Sequence, residues 1–372
     1  MPMKSTKIST LKQTFADQTA LTSAVRLRDM QAKLPPCVRD FLDGIADTAT
    51  VRTRLAYAYD LKIFFRWASD ALDAFRGLDT HTIEPSHIDL ITARDLEHFQ
   101  QYLTLYSRTG DDPESSTVLA PRSNAAPGKM RKMSALRSFF KYLFIHNYIS
   151  ANRASLIPLP KLREKPIVHL EPDETAKLLN LAESGASLTS RQLSYHGALS
   201  ARDGAILTLL LGTGIRVSEC VGLNLEDLNF QENAFRVTRK GGDQAILYFS
   251  DEVASALQKY IAERKDINTL EGHERALFLS LQRRRITQRA VQNLTKKYAQ
   301  AAAPLKRVSP HKLRSTYGTQ LYRESGDIYL VADVLGHSDV NTTRRHYAAM
   351  NEERRRSAAQ MVKLREDEKK DQ

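Results

Sequence analysis

Four short segments in the second half of the chain carry residues whose types and spacing could do chemistry. In LGTGIRVSECVGL, an apolar helix stops at Gly212-Thr213-Gly214 and a new one starts near Arg216. That places Arg216 in a sharp turn with Glu219 one helical turn on, on the same face. An arginine so held by a carboxylate could face an anion. In RKGGD, a hairpin tip carries Lys240, an ammonium that the turn could deliver into a groove. In SPHKLRSTYGTQLY, Pro310 suits the first turn of a helix. His311 and Arg314 then share one face near a helix N-terminus, an end that favours anions. In LGHSDVNTTRRHY, His337 and Tyr347 stand ten residues apart. Each segment also reads as ordinary structure: an exposed ion pair, a lysine kept at a hairpin tip for solubility, a polar helix start, a core tyrosine near a helix-capping Gly-His.

The elements that must position these groups fill 372 residues, enough for two domains with proper cores. Residues 1–22 read as a flexible polar segment. A helix is expected over 21–46, split by Pro35 and Pro36. Another spans 51–72, with Leu55, Tyr59, Leu61, Phe64, Phe65 and Ala68 on one stripe. Residues 92–105 form a third, with Thr92 as N-cap and Asp95 in the first turn. Residues 107–127 read as a long exposed loop. The helix after Pro127 has an apolar face of Met133, Leu136, Phe139, Phe140, Leu143 and Phe144. Its basic, solvent-facing side carries Lys129, Arg131, Lys132, Arg137 and Lys141. Residues 23–155 are therefore expected to form a helical domain with basic outer faces.

Residues 156–170, with three prolines among basic residues, read as a linker. A mostly helical second domain follows over 171–350. Its helix from Glu171 leads to a β-hairpin, 234–240 and 244–249 around Gly241-Gly242-Asp243. A further short strand is expected over 276–281, then helices over 287–302, 310–325 and 328–336. Residues 351–372 read as a charged C-terminal helix or tail.

Lys plus Arg number 55 against 43 Asp plus Glu, a net charge of +12; the pI is about 9.6. Such a chain suits a polyanionic partner, or is simply kept soluble by its charge. Its most apolar stretch, 205–211, is too short to span a bilayer, and the N-terminus has no apolar signal core. A cytoplasmic protein without membrane contact is the default. Cys37 and Cys220 are too few for a disulfide framework or zinc cluster. Cys220, among apolar residues, reads as a buried small hydrophobe.

Taken jointly, Arg216 in GIRVSE, Lys240 in the hairpin, HKLR at 311–314, LGH at 335–337 and then Tyr347 resemble the tyrosine recombinase (phage integrase) family, over about residues 45–350. The resemblance implies a mainly α fold: an N-terminal helical core-binding (SAM-like) domain, then a mixed α/β catalytic domain with a small antiparallel β-sheet. It implies an enzyme that cuts and rejoins double-stranded DNA at recombination sites through a 3′-phosphotyrosine and a four-way junction. The biological setting would be Xer-like dimer resolution or integration and excision of a mobile element. Arg216 and Arg314 would clamp the phosphate, with Glu219 supporting Arg216. His337 would add a hydrogen bond, His311 would help move the proton of Tyr347, and Lys240 would protonate the leaving 5′-oxygen. Two arginines suit this because guanidinium forks match phosphate oxygens and stay charged. No metal or nucleotide cofactor is implied. The implied assembly is a homotetramer on DNA, with or without accessory proteins, the C-terminal tail exchanged between protomers. The family's usual spacing puts the tyrosine one residue earlier, where His346 stands here, and Ser315 replaces a frequent histidine. Two alternatives share much of this pattern: a topoisomerase of type IB chemistry, and a non-catalytic DNA-binding protein that kept the fold.

Overall fold

A computed structural model describes residues 15–106, 122–161, 167–239 and 242–336. The chain divides into two compact units, Met1–Glu164 and Lys165–Gln372. Helices dominate both, and the second adds a three-stranded antiparallel sheet. Among the described residues no helix is long and apolar enough to cross a membrane.

In the first unit the helices are α1 (Phe15–Gln31), α2 (Pro36–Gly44), α3 (Val51–Ala71), α4 (Pro85–Asp89) and α5 (Ala93–Tyr102). A two-residue ladder, β1 (Leu105–Tyr106) with β2 (Arg122–Ser123), precedes α6 (Ala126–Ile145). Of the loop expected over 107–127, residues 107–121 fall outside the described ones, while its last residues hold β2 and the start of α6. The prolines at 35 and 36 divide α1 from α2 as expected, but α1 begins at Phe15, inside the segment expected to be loose. Its hydroxyls find their acceptors within the helix. The hydroxyls of Thr19, Thr22 and Ser23 each donate to the carbonyl one turn back, at 2.8, 2.9 and 2.8 Å. Thr92 caps α5, and Asp95 reaches back to its backbone N–H at 2.8 Å, closing a capping box.

The core of this unit is aromatic. Phe64 of α3 meets Phe99 of α5 edge-on at 5.1 Å, and Phe41 of α2 meets Phe139 of α6 at 5.5 Å. Two residues assigned to apolar stripes fall outside it: Tyr59 and Phe144 are exposed.

The basic side of α6 is a larger correction. Lys132 is buried and donates to Asn124 Oδ1 at 3.2 Å. Arg137 donates to the carbonyls of Ala154, Ser155 and Ile157, tying down the chain that leaves the helix. Arg131 pairs with Asp60 on α3. These cations hold the unit together, whereas Lys141 faces solvent as expected.

Asp60 is buried, and its Oδ1 has no hydrogen-bonding partner among the described residues. Burial pushes its carboxyl up to about 6, outweighing the pull of Arg131 and Lys132. The folded protein thus holds a proton that the unfolded chain releases near pH 4. The stability this confers is complete below about pH 4 and lost as the pH rises through about 6. Chemical denaturation of wild type and Asp60→Asn should therefore show the difference moving in the variant's favour by about 2 kcal/mol between pH 4 and pH 8. A difference independent of pH would contradict the assignment.

The segment expected as a linker is anchored where it leaves the first unit, since Ile157 is buried in that unit's core and Leu159 packs against it. Residues 162–166 lie outside the described ones. In the second unit, Leu170 is buried and its N–H donates to Thr316 Oγ1 at 2.9 Å.

The second unit contains α7 (Pro172–Ser184), α8 (Ser190–His196), α9 (Ser200–Thr213) and α10 (Val217–Gly222). The sheet follows: β3 (Leu228–Asn229), β4 (Ala234–Thr238) and β5 (Gln244–Tyr248). Then come α11 (Asp251–Arg264), α12 (Gln288–Ala302), α13 (Pro310–Ser325) and α14 (Ile328–Leu335). Helix α9 is apolar nearly all round and buried, with α7, α11 and α13 against it. Cys220 is buried as expected, and burial pushes its thiol up to about 12.

The hairpin forms as expected, with Phe235 opposite Leu247, and β3 adds a strand not foreseen. The strand expected over 276–281 is not one. Those residues make only isolated bridges, Asn224 with Ala276 and Leu279 with Arg285. Buried arginines take up their carbonyls instead. Arg264 donates to Ala276 and Leu277 at 2.9 and 3.1 Å, and Arg202 to Leu279 at 2.9 Å.

Candidate active site

The site is built where α9 turns into α10. Gly214 ends α9 in the left-handed region at φ 62°, which a glycine adopts without strain. A Cβ there would lie 2.4 Å from the ring of Tyr317 on α13. The bare backbone therefore lets the turn press against α13, and Gly214 O accepts from Arg314 Nη1 at 2.7 Å.

Arg216 is the N-cap of α10. Its backbone N–H donates to Glu219 Oε2 and its Nη1 to Oε1, both at 2.9 Å. The Glu219 side chain is 4% exposed and that of Arg216 34%. This is no exposed surface pair. A buried carboxylate grips both ends of an arginine whose side chain is still partly exposed, so the group is held in place at little further entropic cost.

On α13, Pro310 occupies the first turn, His311 is exposed, and Arg314 lies one turn further in, 5% exposed. Besides Gly214, the Arg314 fork reaches Leu335 O through Nη2. The next carbonyl, that of Gly336, accepts from Arg216 Nη2 at 2.9 Å. Two arginines about a hundred residues apart in sequence thus meet on adjacent carbonyls at the end of α14. A helix C-terminus carries partial negative charge and suits cations. Gly336 closes α14 in the left-handed conformation, φ 59°.

Lys240, His337 and Tyr347 lie outside the described residues, as does the charged C-terminal helix or tail expected over 351–372. The described neighbours of two of them are informative. Arg239, which precedes Lys240, donates through Nη2 to Val334 O at 3.5 Å. Its guanidinium also covers Gly336, where a Cβ would lie 2.5 Å from Nη1. Sequence reasoning passed over Arg239 in favour of Lys240. The RKGGD segment held the signal, two adjacent cations at a hairpin tip, but not the contact. Chemically, the described site concentrates three guanidiniums and one buried carboxylate around a single helix end, an environment suited to an anion.

Comparison with known proteins shows the family of the chain. The phage integrase family matches residues 169–354. The tyrosine recombinase XerC of Caldanaerobacter subterraneus subsp. tengcongensis is 35% identical over 324 residues, 84% of this chain and 82% of that protein. The tyrosine recombinase XerD of Oceanobacillus iheyensis is 31% identical over 296 residues, 77% of this chain and 92% of that protein. Among solved structures, a post-cleavage complex of the XerH site-specific recombinase bound to palindromic difH substrate superposes with a TM-score of 0.59. It is 19% identical and covers 91% of this chain and 94% of that one.

Proposed function

This chain belongs to the phage integrase family and is a tyrosine site-specific recombinase, and from that premise we propose how its own residues share the reaction. Arg216 and Arg314 clamp the non-bridging oxygens of the scissile phosphate. Tyr347 Oη attacks phosphorus, its proton passing to His311, while His337 adds a hydrogen bond to the phosphate. The bond from phosphorus to the 5′-oxygen breaks, and Lys240 supplies that oxygen with a proton. The products are a 3′-phosphotyrosine and a free 5′-hydroxyl. Attack by a 5′-hydroxyl of a partner strand reverses these steps and rejoins DNA, the bond energy having been kept in the ester. No step needs an outside energy source. Catalysis of this kind is positioning plus stabilisation of spread negative charge, which rigid, permanently charged guanidiniums provide.

One observation carries this assignment: Arg216 and Arg314, from different elements, converge on the carbonyls of Gly336 and Leu335, immediately before His337 in the chain. We further infer a homotetramer acting on two duplex sites in the cytoplasm. The XerC and XerD relatives favour a dimer-resolving role over that of a mobile element's integrase. The test is covalent capture. Random duplexes, each nicked so that the released strand diffuses away, are incubated with the protein, and DNA is recovered from adducts that survive denaturation. A recurrent duplex attached through a 3′-phosphate is expected. Attachment through a 5′-phosphate, or no adduct at all, would refute the assignment.

A further inference from the structure

Three consecutive carbonyls at the end of α14, those of Val334, Leu335 and Gly336, each accept from a different arginine. Arg314 comes from α13, Arg216 from the N-cap of α10, and Arg239 from the hairpin, just past β4. Arg216 also donates to the buried carboxylate of Glu219, whereas Arg239 reaches a carbonyl. A carbonyl dipole satisfies a donor without cancelling its charge, so the bond to Val334 leaves the Arg239 guanidinium its full positive charge. The bond from Arg239, at 3.5 Å, is long for its kind and gives up little when exchanged for a phosphate oxygen. Gly336 contributes by having no side chain, since a Cβ would lie 2.6 Å from the central carbon of the Arg239 guanidinium.

We propose that Arg239 is a third guanidinium ligand of the reacting phosphodiester, beside Arg216 and Arg314. The proposal rests on the assignment of this cluster as the phosphate site. The three forks already point at one short stretch of acceptors, so an arriving phosphate meets donors that need little reorganisation. The competing role for Arg239 is purely architectural, a pin that holds the hairpin to the end of α14.

The two roles differ in whether they sense the charge of the phosphate. The probe is the duplex recovered by covalent capture, and a second copy in which one non-bridging oxygen at the cleaved phosphate is replaced by methyl, which makes it neutral. Kd is measured for both in a Tyr347→Phe background, so that nothing is cleaved. Arg239→Ala should weaken binding of the natural duplex about tenfold, the scale of one charge-assisted hydrogen bond, and leave the neutral duplex within about twofold of the parent. Arg239→Lys, which keeps the charge without the fork, should fall between. Equal weakening on both duplexes, as from a displaced hairpin, would overturn the proposal, and so would no weakening on either. Arg216→Ala serves as the reference. If it discriminates between the duplexes and Arg239→Ala does not, only the proposal for Arg239 falls. If neither discriminates, the phosphate site itself is misassigned and both fall.

Discussion

Tyr347→Phe is expected to bind the captured duplex with unchanged Kd and to form no covalent adduct, a loss on the order of 10⁴-fold or more. The variant lacks one hydroxyl oxygen, and that oxygen is the atom that would bond to phosphorus. No other proposed group can replace it. Arginines do not act as nucleophiles at neutral pH, and a histidine adduct would be a phosphoramidate, separable from a tyrosine ester by its lability to acid. Binding should survive because most affinity for DNA comes from many phosphate contacts made by Lys and Arg. An adduct that persists in Tyr347→Phe would remove this residue from the mechanism. The neighbouring His346 makes the spacing testable in the same gel. His346→Ala should still form adduct, since the tyrosine that the mechanism needs stands at 347 and not at the family's usual position, which His346 occupies.

Arg314→Lys should lose cleavage by about 10²–10³-fold although it conserves the charge. Arg314 is 5% exposed, and its fork joins Gly214 O to Leu335 O, acceptors on two different elements. A single ammonium cannot reproduce two divergent planar donors. One carbonyl is then left without its partner, at about 1–3 kcal/mol of stability. That cost does not account for the whole effect if cleavage is measured on protein shown to be folded. The remaining deficit, read as adduct formed in a single turnover at saturating DNA, belongs to the phosphate contact. Cleavage near the wild-type rate would contradict the bidentate clamp and leave Arg314 a strut between α13 and α14.

Much of the scaffold was legible because it depends on local order. The boundaries of α13 match the expected 310–325, since Pro310 opens it and Gly326 closes it in the left-handed conformation at φ 73°. Thr92 and Asp95 announce α5 by a reciprocal cap between residues three apart. The hairpin is marked by Gly-Gly-Asp between β-branched and aromatic runs. By contrast, α11 went unforeseen because its apolar positions are interleaved with charge and its start is only a Ser cap. Arg131, Lys132 and Arg137 looked like a solvated basic face, because side-chain charge says nothing of which carboxylate or carbonyl lies opposite in the fold. The segment 276–281 has the composition of a strand, yet the carbonyls of Ala276 and Leu277 are taken by Arg264 at the end of α11 and that of Leu279 by Arg202 of α9.

The same division runs through the active site. The sequence by itself determined the chemical class: two permanently charged forks, proton-transferring side chains and one tyrosine, in the order of the recombinase family and with one extra residue before Tyr347. Such information survives without coordinates because it resides in residue type and local periodicity. It also determined that Glu219 would reach Arg216, since the two are one helical turn apart. Only the tertiary structure decided that Glu219 is buried and Arg216 partly exposed, that Arg216 and Arg314 share the end of α14, and that Arg239 joins them. Those contacts span 120, 21 and 95 residues of chain. Partners so far apart are chosen by how helices pack, and packing depends on the whole core rather than on any stretch that can be read alone.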